Sequence, residues 1–71
     1  MIKIYKAHSD THEAEGMYTE SGALLDFWSC NDAHWRDEYF NEFMSALGIE
    51  VRQASSVLNT KFEAFVQKEW G

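Results

Sequence analysis

The stretch His8-Ser9-Asp10-Thr11-His12-Glu13-Ala14-Glu15 is the densest cluster of potential metal ligands in the 71-residue chain. His8, Asp10 and His12 stand at i, i+2 and i+4, which puts three ligands on one side of an extended strand. Imidazoles with a carboxylate suit zinc, copper or nickel, so metal binding through His8, Asp10 and His12 is one functional reading. The residues between the histidines are turn-formers that interrupt a regular strand, and no supporting hydrogen-bond partner is identifiable. A solvated polar loop is the simpler account, so no metal site and no cofactor is assigned. His12-Glu13 does not extend into His-Glu-x-x-His, because residue 16 is Gly.

Cys30 and His34 are four apart and would share one helical face, the arrangement of a thiolate–imidazole nucleophile. Only Asp26 is placed to orient such a pair, and a packed thiol beside a surface histidine is the plainer reading. The chain has no Gly-rich phosphate loop, Walker motif, Cys-x-x-Cys pair, Gly-x-Ser-x-Gly elbow or dinucleotide fingerprint. A domain this small also has little room for a closed catalytic pocket. Catalysis is therefore not expected.

Charge is the more informative signal. Ten carboxylates and one cation, Arg36, lie between residues 10 and 50, so the net charge of -6 understates the acidity of the middle of the chain. Such a field repels nucleic acid and anionic membrane and attracts basic protein surfaces. Glu38 and Glu42, at i and i+4, oppose each other on a helix, where a lysine would have relieved the repulsion. The contact residues this picture selects are Asp32, Asp37, Glu38 and Glu42, with Trp28 and Trp35 as aromatic anchors, since Trp is enriched at binding hot spots. The ordinary alternative is a solubilising face on an aromatic-rich protein.

The elements that must carry these residues are read from periodicity. Residues 2–8 alternate as a strand and Ser9-Asp10-Thr11 is turn chemistry. Residues 12–19 read either as a returning strand over 15–19 or as a short helix capped by Asp10 or Thr11 and weakened by Gly16. The hairpin is preferred, so 2–19 is expected to be a strand or β-hairpin. Ser21 suits the N-cap of a short helix over about 22–29. In a helix over about 32–47, Trp35, Tyr39, Phe40, Phe43, Met44 and Leu47 form one apolar face, with Gly48 as its terminator. A last helix covers about 52–70, with Ala54, Val57, Leu58, Phe62, Phe65 and Val66 as its stripe. Thr60-Lys61-Phe62-Glu63 fits a capping box that would divide it in two. The expected fold is one α+β domain, helix-dominated, with an N-terminal strand or hairpin followed by two or three amphipathic helices.

At this length folding hides only about 60% of the unfolded chain's surface, and the lone Cys30 allows no internal disulfide. An aromatic share of 15% supplies a core and a surplus that suits an interface. A homodimer formed by an unpaired N-terminal strand is one way to use it. No signal-peptide pattern or apolar span is present, and one free cysteine fits a reducing compartment, so a cytoplasmic location is expected.

The functional expectation is a small acidic, non-catalytic protein-binding module, in its sharpest form an inhibitor on the basic surface of a nucleic-acid-binding partner. In composition the chain is similar to some small phage anti-defence proteins, anti-CRISPRs among them. The alternatives are a homo-oligomeric structural or regulatory protein and the metal-binding protein above.

Overall fold

Alternation at the N-terminus builds the first strand, and the structure shows why it alternates. The computed structural model describes residues 2–29 and 37–70. Strand β1 (Ile2–Ser9) turns back through Asp10–Glu13 into β2 (Ala14–Thr19), antiparallel, with Tyr5 opposite Tyr18 and Ala7 opposite Gly16. Glu13 takes a positive φ of 47° to close this turn. Strand β3 (Leu24–Ser29) pairs antiparallel with β2, with a register slip at Met17/Tyr18. After helix α1 (Asp37–Ala46), strand β4 (Ile49–Gln53) runs parallel to β1, and helix α2 (Ser56–Trp70) completes the chain. The sheet order is β3-β2-β1-β4.

Both faces of this sheet are covered. Ala7, Ala14 and Tyr18 are buried with Phe62 and Val66 of α2, and Tyr5, Leu24, Phe27, Ala54, Leu58 and Phe65 pack around them. On the opposite face Ile4 and Trp28 are buried with Phe40 and Met44 of α1, flanked by Met17, Ile49 and Val51. Neighbouring residues Phe27 and Trp28 thus serve different cores. Lys6 is also buried on the α1 face. Its ammonium lies 5.0 Å from the centre of the Phe40 ring and 3.4 Å from Glu15 Oε2, so the cation is compensated by a carboxylate and an aromatic face.

The helix-dominated expectation is corrected by this architecture: the described residues form a mixed four-stranded sheet with one helix on each face. The segment 22–29 is a turn and a strand rather than a helix. Ser21 caps no helix there; its hydroxyl is 2.9 Å from that of Thr19, in the β2–β3 turn where Gly22 has φ +90°. The first residues of the expected 52–70 helix belong to β4, and α2 begins at Ser56. Ser55 is its N-cap, accepting the N–H of Leu58 at 3.3 Å. Thr60 does not start a second helix; its hydroxyl donates to the Ser56 carbonyl inside α2. Of the expected 32–47 helix, 37–46 is found and 32–36 lie outside the described residues. Gly48 follows with φ +74°, the left-handed conformation of a helix terminator. Strand β1, expected to seek a partner, is paired on both sides.

Main-chain bonds at the top of β1 show how α2 is held. Ala54 N–H donates to Lys6 C=O at 3.2 Å, where the β4 ladder ends. The next donor along that edge, His8 N–H, is taken by Asn59 Oδ1 at 3.0 Å. A helix side chain therefore continues the ladder that the strand leaves off. At the other end of the sheet, Lys61 Nζ donates to Gly22 C=O at 2.7 Å.

Candidate interaction surface

Helix α1 is described over Asp37–Ala46, and these residues include Asp37, Glu38 and Glu42 but neither Lys nor Arg. Its apolar residues are shared between two directions. Phe40 and Met44 are buried against the sheet. Tyr39, Phe43 and Leu47 are 52%, 55% and 58% exposed. Leu47 N–H still donates to Phe43 C=O, so helical spacing persists to that residue and the three form one ridge at i, i+4 and i+8. Glu42 is exposed beside Phe43. The apolar face read as a single core stripe is thus wider than the sheet can cover, and half of it faces solvent.

The remaining expected contacts are distributed unevenly. Asp37 and Glu38 are the first described residues of α1. Asp32 and Trp35 lie outside the described residues, as do Cys30, His34 and Arg36. Trp28 is 4% exposed, its ring 5.4 Å from that of Phe40; it is a core residue and not a surface anchor. Trp70 is 45% exposed and rests against Phe27.

The histidine-rich turn is organised by a residue far away in sequence, Glu63 of α2. The Ser9 hydroxyl, fully buried, donates to Glu63 Oε2 at 2.9 Å. The Thr11 hydroxyl reaches both carboxylate oxygens, at 2.9 and 2.8 Å. His12 Nδ1 lies 2.9 Å from Thr11 Oγ1 and 4.0 Å from Glu63 Oε2. Because the Thr11 proton is committed to Glu63, Nδ1 is the donor to Thr11. The Thr11 hydroxyl bond, reinforced by the Ser9 hydroxyl, the Thr11 main chain and the nearby His12, holds the Glu63 carboxyl below its ordinary range.

Serine, histidine and glutamate are residue types of nucleophilic catalysis, but the buried Ser9 hydroxyl addresses the carboxylate and not the imidazole. The cluster is built as a strut between the β1–β2 turn and α2. His8 Nε2 pairs with Asp10 Oδ1 at 2.6 Å, whereas His12 turns to Thr11 and Glu63. Among the described residues no three His, Cys, Asp or Glu side chains converge as a metal site requires, and no helix is long and apolar enough to cross a membrane.

No protein-family model, no curated protein and no solved structure matches this chain.

Proposed function

We propose that this is a non-catalytic protein-binding module that docks through α1 onto a partner joining an apolar groove to a basic rim. The observation that carries the reading is the exposed ridge Tyr39, Phe43 and Leu47, set in a helix whose described residues carry the carboxylates of Asp37, Glu38 and Glu42 and no cation. A single exposed apolar residue is unremarkable; three in line on one helix are the anchors of helix-in-groove recognition. The surrounding carboxylates favour a cationic rim and speed encounter with it. In the sharpest form of the proposal that rim otherwise holds nucleic acid, and the module acts as its inhibitor. The test is capture of a partner from lysate by wild type and by Phe43→Ser and Glu42→Lys variants, at low and high salt. A basic protein held by wild type and released by both variants is the expected result. Equal capture by all three overturns the reading.

A further inference from the structure

We propose that β4 is a self-complementary edge through which two copies of this chain join their sheets, antiparallel, about a two-fold axis at Val51. This is independent of the reading of α1. The sheet has two edges, and they differ. On β3 the register slips at Met17/Tyr18, Leu25 and Asp26 are exposed, and the Asp26 carboxylate accepts its neighbour Phe27 N–H at 2.8 Å. A bulge twists an edge away and discourages pairing there. Strand β4 pairs with β1 over Ile49–Gln53 without a register shift, and it contains no proline or lysine.

The phase of β4 is set by the Ala54 N–H to Lys6 C=O bond. In a parallel ladder it makes Glu50 and Arg52 the residues whose main chain addresses β1. The main-chain groups of Ile49, Val51 and Gln53 then point away from the sheet. An antiparallel second copy centred on Val51 pairs Val51 with its symmetry mate and Ile49 with Gln53 of the other copy, all through these outward groups. Glu50 then falls opposite Arg52 of the other copy, in the non-hydrogen-bonded position where Cα atoms approach to about 4.5 Å. Within one chain these side chains already meet, Arg52 Nε donating to Glu50 Oε2 at 3.2 Å, and both are partly exposed. Moving the register by two residues would set Glu50 against Glu50 or Arg52 against Arg52. Opposite charges facing each other stabilise a strand pair and like charges destabilise it, so charge selects one register. In a chain of net charge -6, this edge, which no other described strand pairs and whose charges alternate in sign, is where a second copy is attracted.

Sedimentation velocity from low micromolar to millimolar concentration tests the proposal. Wild type is expected to form dimers, and Arg52→Glu and Glu50→Arg alone to associate about tenfold or more weakly. An equimolar mixture of these two variants should dimerise again, since each then faces its opposite, although within each chain residues 50 and 52 carry like charges. Gln53→Pro removes an outward N–H without changing charge or the β1 ladder, and should also weaken association. Circular dichroism and thermal melting establish that each variant is folded. A wild type that stays monomeric overturns the proposal, as do single variants that dimerise like wild type or a mixture that fails to recover.

Discussion

The ring of Phe62 occupies the place where a side chain at Gly16 would begin. A Cβ built on Gly16 comes within 2.5 Å of Phe62 Cε1 and 2.9 Å of Cδ1. Phe62 is fully buried and has Tyr18 and Phe65 as aromatic neighbours, so the ring cannot swing aside freely. The bare backbone of β2 is what lets α2 approach the sheet at this point. Gly16→Ala is therefore expected to destabilise the fold by about 1–3 kcal/mol, the range for overpacking a filled core. For a domain of this size each kcal/mol lowers Tm by roughly 4–8 °C. In the Phe62→Leu background the same Gly16→Ala change should cost less. Urea denaturation of the four variants measures that coupling, and simple additivity would count against the contact.

Thr60 resembles an N-cap in sequence, and the structure gives that role to Ser55. Ser55 Oγ accepts Leu58 N–H ahead of the first turn, whereas Thr60 donates to Ser56 C=O within the helix. Ser55→Ala is expected to cost about 1 kcal/mol. Thr60→Ala should be close to neutral or slightly stabilising, since alanine is the better residue in a helix interior. Thermal melts of the two variants decide it. Equal losses would mean that α2 is interrupted at Thr60.

The same contrast explains how much was legible in the residues. Ile2–Ser9 alternates visibly, and the turn residues after it mark a hairpin. Leu24–Ser29 does not alternate, because Leu24 and Phe27 face α2 while Trp28 faces α1. The slip opposite Met17/Tyr18 breaks the period-two signal, so Leu24, Leu25, Phe27 and Trp28 imitate a helix face. Ile49-Glu50-Val51-Arg52-Gln53 does alternate and is β-branched, but its end overlaps a segment that also reads as helix. In α1 the positions of the apolar residues are legible and their burial is not. Phe40 and Met44 differ from Tyr39 and Phe43 only by where the sheet lies. The Glu63 strut leaves no local trace, since Ser9 and Thr11 meet their partner across more than fifty residues of chain.

The lowered pKa of Glu63 turns that strut into a pH-dependent source of stability. Its folded value lies below its unfolded one, so the ionised carboxylate binds the folded state preferentially. The contribution is complete above the ordinary glutamate range and is lost as pH falls through the folded value. Glu63→Gln should accordingly be less stable than wild type at neutral pH. The difference should shrink below the ordinary glutamate range, as wild type itself becomes protonated. Denaturation at stepped pH from neutral downward reads this directly. A gap between the two proteins that does not narrow in acid would show that the carboxylate charge is not what the hydroxyls of Ser9 and Thr11 stabilise.

The α1 surface makes the most direct claim about function, because it predicts a separation of stability from binding. Phe43 is more than half exposed and Glu42 stands beside it in solvent, so neither Phe43→Ser nor Glu42→Lys removes a core contact. Glu42→Lys should change folding stability by no more than about 0.5 kcal/mol, as surface substitutions do, and Phe43→Ser by about 1 kcal/mol for the covered part of its ring. Phe40→Ala, one residue from Tyr39 but fully buried, should cost about 3–5 kcal/mol and serves as the contrast. Against a captured partner, Phe43→Ser should lose about 2 kcal/mol of affinity if the ring is an anchor, at every salt concentration. Glu42→Lys should act mainly on the association rate, and its effect should fade as salt screens the field. Calorimetry or surface plasmon resonance at two ionic strengths distinguishes the two patterns. If Phe43→Ser binds as wild type while remaining folded, the ridge is not the docking element, and the acidic residues of α1 act without an apolar anchor.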